Sequence, residues 1–217
     1  MKTWISRSAI DNSKDKIHSI RRGGLPADVI IRRAFPEEWE AAMAFAWTVF
    51  SEFEAPIYSK RGSESFMEFI SDNGLKNMFL HGKYPLFLAV EKNTEGESLR
   101  GAFENRTAGD KIVGIVTLRQ YNFISLLFVD GRYQHRGIGE ALIDRACEYV
   151  RTDTEEARID RNKEEDYRYE RESGGFVTVF AALNAVGFYE KLGFYRTGPE
   201  SENDGISYIP MRRDRAG

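Results

Sequence analysis

The run Phe123-Ile-Ser-Leu-Leu-Phe-Val-Asp-Gly-Arg-Tyr-Gln-His-Arg-Gly-Ile-Gly-Glu-Ala-Leu-Ile143 decides how this chain is read. Its first seven residues are almost wholly apolar, the pattern of a central strand covered on both faces. A short turn rich in donors follows, and then a helix that opens on Gly137 and Gly139. The start of a helix carries unpaired backbone N–H groups and the positive end of the macrodipole, so it suits a phosphate or pyrophosphate. Glycines without Cβ let the backbone come close to such a ligand. Arg132, His135 and Arg136 add side-chain donors nearby. The turn lacks the Gly-Lys-Ser/Thr ending of a P-loop, which argues against nucleotide hydrolysis.

Composition narrows the classes that remain. With 217 residues, 41% of them hydrophobic, the chain can bury one substantial core. A net charge of −3 gives no global attraction for nucleic acid. A single cysteine, Cys147, rules out an internal disulfide and a multi-thiolate zinc cluster. His18, His81 and His135 have no ligand spacing, so no metal site is expected. The N-terminus has no continuous apolar segment, and no stretch approaches the ~20 apolar residues of a membrane span. The expectation is a cytoplasmic protein.

Working outward, residues 1–27 have no sustained period and read as an appendage to a single domain over 28–217. Residues 29–34 make a first strand. Pro36 with Glu37 and Glu38 opens a helix whose apolar residues, Trp39, Met43, Ala46, Phe50 and Phe53, keep helical spacing up to Pro56. A second helix is predicted over 63–72. Leu86–Glu91 and 101–104 compete as the next strand; the first is favoured, with 93–110 as an insertion. A strand at 112–118, the central strand and a helix over 137–151 follow. Residues 152–173 are a second, densely charged insertion, solvated as helix or loop. Then come a strand at 176–180, a helix at 184–191 and strands near 194–197 and 206–212. This order describes a mixed α/β sheet with helices on both faces.

Gln134-x-x-Gly137-x-Gly139, placed after that strand, resembles the acyl-CoA-binding motif of the GNAT superfamily of N-acetyltransferases. Further on, Ala185-Val-Gly-Phe-Tyr-Glu-Lys-Leu-Gly-Phe194 resembles the family's helix-and-strand motif, and Tyr-Ile-Pro-Met211 its last strand. The similarity runs over roughly residues 28–213. It implies a mixed, mostly antiparallel sheet of about six to seven strands with helices on both faces, the acyl-CoA N-acyltransferase fold. It also implies acetyl-CoA as acyl donor, and direct transfer to a primary amine of a small molecule in a ternary complex.

Carried over residue by residue, the resemblance assigns the donor's pyrophosphate to backbone N–H groups from about His135 through Arg136, Gly137, Ile138 and Gly139 to Glu140, with Gln134 as a further cofactor-binding residue. Its pantetheine arm falls to the strand end Leu127, Phe128 and Val129, where the N–H near Leu127 would also stabilise an oxyanion. Tyr189 matches the tyrosine that protonates the departing thiolate. Two departures stand out. Ala182 occupies a position where many members carry Asn; Asn184, two residues on, is the cofactor-binding candidate in its place. The central strand also lacks the glutamate that many members use as general base. Glu54, Glu91, Glu104 and Tyr121 are the candidate proton acceptors, with Glu54 in the loop that borders the acceptor site in this fold. Cys147 reads as a core thiol, since direct transfer needs no cysteine nucleophile.

Residues 51–63 and 198–205 would shape the acceptor site, and the excess of Glu200, Glu202 and Asp204 would suit a cationic amine. Members of the family often dimerise, and the appendage is a candidate surface for a homodimer. Two other readings stay open on the same fold. One is a non-catalytic acyl-CoA-binding or regulatory module; the other is a peptide or protein N-terminal acetyltransferase.

Overall fold

In the computed structural model the described residues are 25–92, 110–120, 122–159 and 175–214. Residues 1–24, 93–109, 121, 160–174 and 215–217, and with them Glu104, Tyr121 and the alternative strand at 101–104, lie outside the described residues. Most of the expected appendage, and most of each expected insertion, falls there too.

The strands are β1 (Val29–Arg33), β2 (Leu86–Glu91), β3 (Lys111–Arg119), β4 (Phe123–Val129), β5 (Phe176–Ala182), β6 (Tyr195–Arg196), β7 (Ser201–Asn203) and β8 (Ile206–Asp214). They form one sheet in the order β1-β2-β3-β4-β5-β8-β6, with β7 also paired to β8. Every pairing is antiparallel except β4 with β5. The helices are α1 (Trp39–Phe53), α2 (Lys60–Ile70), α3 (Asn73–Leu80), α4 (Ile138–Ile159) and α5 (Val186–Lys191).

Two cores sandwich the sheet. In β2, Leu86, Leu88 and Val90 pack with α1, α2 and α3, while Phe87 and Ala89 pack on the other face with α4. All five are fully buried, so the continuous apolar run is explained by cover on both faces. α1 starts where the sequence predicts. Pro36 opens a short 3-10 turn, and Glu38 reaches back to the Phe35 N–H at 2.8 Å.

Three elements differ from the sequence reading. The helix expected over 63–72 spans Lys60–Ile70, and α3 follows it unannounced. Ser59 accepts from the Gly62 N–H to start α2, and Asp72 accepts from the Gly74 N–H at 2.6 Å to start α3. The second cap begins a helix over residues for which the sequence reading named no element. α4 continues to Ile159, past the expected end at 151. The sheet has eight strands because the short β7 folds back on β8, joined at Asp204 and Gly205, both with positive φ. That turn chemistry makes the hairpin.

Two irregularities in β4 position the site. Thr117 pairs with Leu126 but Leu118 pairs with Ile124, so Ser125 is the extra residue of a bulge. β4 and β5 meet at just two register pairs, Phe123 with Thr178 and Ile124 with Val179. β5 stays paired to β8 along its whole length. Beyond Ile124 the two parallel strands therefore diverge.

Candidate active site

The divergence leaves backbone groups of β4 without a strand partner. Asp130 donates its N–H to Val113 on β3. Strand groups alternate sides, so the N–H and C=O of Leu127 and Val129 point to the open gap. The Val129 carbonyl accepts from the Gln134 side chain at 3.2 Å, which ties the strand end to the turn after it.

That turn runs from Asp130 into α4. His135 has φ 61° and Gly137 φ 78°, both in the left-handed region. The first helical bond is Ala141 N–H to Gly137 C=O, so the N–H groups of Ile138, Gly139 and Glu140 precede any helical partner. A Cβ on Gly139 would come within 3.0 Å of the Phe188 ring, so glycine lets α4 and α5 approach at the gap. His135 and Arg136 are exposed, and Arg136 lies 5.4 Å from the Tyr133 ring centre. Arg132 is committed elsewhere, with Nε and Nη2 both on Asp130, which holds the Asp130 carboxyl below the ordinary range. Unpaired strand amides and an open helix start, joined by a glycine turn, suit a long ligand rich in amides with an anionic end.

Beside the gap opens a cleft of about 660 Å³. β4 forms its floor, α1 and α2 one wall, and β5 with α5 the other; the β7–β8 hairpin roofs it. Leu127, Tyr189 and Glu54 all line it. Glu54 follows the last turn of α1, where its N–H and that of Ala55 both bond to the Phe50 carbonyl before Pro56. Oε1 of Glu54 accepts from Asn184 Nδ2 at 3.4 Å. Oε2 is the one buried side-chain oxygen without a hydrogen-bond partner among the described residues. An orphaned buried carboxylate oxygen carries a desolvation cost that a ligand donor would remove.

Tyr189 is 5% exposed, set edge-on between Phe188 and Phe194 at 5.3 Å each. Burial, and then the negative charge of Glu54, push its phenol well above the ordinary range. The same two causes, with a side-chain contact to the Glu54 carboxylate, raise Tyr58 on the opposite wall. Under the cleft floor, the hydroxyls of Tyr84, Thr117 and Ser125 bond mutually at 2.7 to 3.0 Å.

The sequence candidates thus sort by place. Gln134 to Glu140 surround the glycine turn, Leu127, Phe128 and Val129 the gap, and Tyr189 and Glu54 the cleft. Asn184 gives its amide to Glu54. Glu91 lies away from the cleft and accepts the Tyr133 hydroxyl at 2.6 Å. Of the three hairpin acids, Asp204 lines the cleft, whereas Glu200 and Glu202 do not. Burial pushes the Cys147 thiol up to about 11, as for a core residue.

Sequence reasoning missed Arg119 and the aromatic group of exposed Phe180 with half-buried Phe123 and Tyr208, all of which line the cleft. The signal for Phe180 was available. Val177, Val179 and Ala181 fill one face of β5, so period two puts a large aromatic ring on the other. Among the described residues no helix is long and apolar enough to cross a membrane, and none group as a metal site.

The splayed parallel pair within an otherwise antiparallel sheet, with a glycine turn at the helix after it, defines an acyl-CoA N-acyltransferase fold. Residues 101–196 match the family model for an acetyltransferase (GNAT) domain. Its fold is similar to that of a GCN5-related N-acetyltransferase from Rhodopseudomonas palustris, with a TM-score of 0.58 at 20% identity over 90% of this chain and 99% of that one. A PaiA N-acetyltransferase from Thermoplasma acidophilum, solved in complex with coenzyme A, gives 0.53 at 19% over 86% and 99%. A GNAT-family acetyltransferase from Staphylococcus aureus Mu50 gives 0.51 at 13% over 86% and 98%. Comparison with curated proteins returns no match.

Proposed function

We propose that this chain is an acetyl-CoA-dependent N-acetyltransferase acting on the primary amine of a small molecule, by direct transfer in a ternary complex. The observation that carries the reading is the orphaned Oε2 of Glu54, buried in a cleft that Tyr189 and the free edge of β4 also line.

Bound in the gap, acetyl-CoA would supply an activated acetyl thioester. The residues present fit it. The open N–H groups of Ile138, Gly139 and Glu140 suit its pyrophosphate, and those of Leu127 and Val129 its amide-rich arm. The Leu127 N–H faces the gap, where it would stabilise charge on the thioester oxygen during attack, a contribution of about 3 kcal/mol. Glu54 receives the proton that an ammonium must lose before its nitrogen can attack. Tyr189 donates its proton to the departing thiolate and regains one from the new amide nitrogen. The net change is one proton released to solvent, one C–N bond formed and one C–S bond broken.

Thiol release from acetyl-CoA over a panel of small amines, polyamines, aminoglycosides and peptide N-termini tests this. Turnover confined to small amines is expected. CoA binding with no turnover on any acceptor would instead indicate a binding module, and preference for peptide N-termini a protein-directed enzyme.

A further inference from the structure

The acceptor cleft carries a charge toward each end of a mostly apolar floor, with Ser65, Asn203 and Asp204 at its roof. Glu54 marks one end, beside Tyr189 and Leu127. Arg119 lines the other, at the terminus of β3, where it pairs with Phe123 across to β4. Arg119 is half-buried, and its guanidinium makes no hydrogen bond or ion pair among the described residues. Its charge reaches the phenol of the buried Tyr84 beneath the floor. The carboxylate across the roof, Asp204, faces Arg61 at 4.0 Å. A guanidinium held partly out of water and without an anion is a recognition element awaiting one.

The surface between the two ends offers little to a polar ligand. Ser125 is the polar side chain of the floor, and its hydroxyl is already engaged by Tyr84 and Thr117. Above it Phe180 stacks on Tyr208 at 4.3 Å and meets Phe123 edge-on at 4.9 Å. Phe180 is nonetheless 53% exposed, so this aromatic group presents a face to the cleft. Along β4, four residue steps lead from Phe123 to Leu127, at most roughly 13 Å at strand rise and less across the bulge at Ser125, before the reach of the Arg119 side chain is subtracted.

Building on the transferase reading, we propose that Arg119 selects the acceptor, which is an amine carrying a carboxylate or similar anion at the far end of an apolar, preferably aromatic, body. The ammonium sits at Glu54, the ring lies against Phe123 and Phe180, and the anion pairs with Arg119. A polyamine would place a second cation against Arg119 and is disfavoured by charge.

The test compares 4-(aminomethyl)benzoate with benzylamine, which differ by the anion alone, in wild type and Arg119→Gln. Turnover is read by thiol release, and binding of the acid to the CoA-loaded protein by calorimetry. In wild type kcat/KM for the acid should exceed that for benzylamine at least tenfold, mostly through KM. Arg119→Gln should bring the ratio near one and abolish the calorimetric signal, with Arg119→Lys intermediate. Turnover of benzylamine with no preference for the acid would overturn the Arg119 assignment and leave the transferase standing. Binding of the acid that depends on Arg119, without turnover, would leave the anion site and overturn the transferase. Absence of binding and turnover alike would overturn the anion site.

Discussion

The Asn184 amide donates to Oε1 of Glu54 at 3.4 Å, joining the end of α1 to the turn after β5 across 130 positions of chain. The bond leaves Oε2 free and turns the carboxylate toward the space that Tyr189 and Leu127 share. A side chain that was there for stability would have both oxygens satisfied, which separates two consequences of replacing it. Glu54→Gln should lower kcat about a hundredfold or more by removing the proton acceptor. The remaining activity should climb with pH as the free amine becomes abundant. The melting temperature should hold or rise, because an unpartnered buried carboxylate is replaced by a neutral amide. Parallel thiol-release and thermal measurements check this; a loss of stability matching the loss of activity would make Glu54 a structural residue.

Tyr189 carries a second prediction with a pH dependence. Burial first, and then the Glu54 charge, keep its phenol protonated beyond the ordinary value of ~10, so the acid is present throughout the neutral and mildly alkaline range. Tyr189→Phe should lower turnover while leaving acetyl-CoA affinity within about threefold, because the pyrophosphate and arm contacts are backbone groups. The stability consequence follows from the direction of the shift. A phenol whose folded value is raised stabilises fully below ~10 and loses that contribution as pH rises through the folded value. Tyr58 and Tyr84 are raised by burial as well. Denaturant unfolding should therefore show stability falling steeply above pH ~10, less steeply in Tyr189→Phe.

How much of this was legible beforehand depends on whether the determinant is local. The glycine turn, the Tyr189-Glu-Lys-Leu-Gly-Phe194 segment and the doubly covered β2 are written in consecutive residues, and the fold follows from them. Glu54 could be named as a candidate, but its orphaned oxygen depends on where Asn184 and Tyr189 arrive in space. Arg119 ends a strand and gave no local sign, because its lack of an anion is a property of the packed cleft. α3 was missed for the opposite reason. Its cap, Asp72, is local, but the helix it starts is only eight residues long and buries just Leu75 and Phe79.

Arg32 and Glu38 yield an acid-limb prediction. Nη1 and Nη2 of Arg32 meet the two carboxylate oxygens at 2.7 Å each, and the Phe35 N–H adds a third bond, so β1 is pinned to the start of α1. Burial alone would raise the Glu38 carboxyl, but these bonds outweigh it and hold it below its ordinary 4.5. A depressed carboxyl contributes stability above its unfolded value and loses it as pH falls through the folded one. Unfolding free energy should thus decline below pH ~4.5. Glu38→Ala should cost about 3 kcal/mol at neutral pH, since it leaves the largely buried Arg32 without this partner, and should flatten that acid limb. A variant as stable as wild type would show the pair to be neutral.

The rim of the acceptor cleft is set where α2 meets the β7–β8 hairpin. Ser59 and Ser65 donate to the Gly205 and Asp204 carbonyls at 3.5 and 3.3 Å, and a Cβ on Gly62 would lie 2.5 Å from the Gly205 oxygen. Backbone fills that space, so Gly62→Ala must push the hairpin outward, which moves Asp204, Ile206 and Tyr208 at the cleft roof. Overpacking of this kind costs about 1–3 kcal/mol. Because the displaced residues belong to the acceptor side of the cleft and not to the glycine turn or the gap between β4 and β5, the effect should fall on acceptor KM, several-fold upward, with acetyl-CoA affinity changed much less. Steady-state kinetics with each substrate varied in turn distinguishes this from general loosening, in which both KM values would rise together.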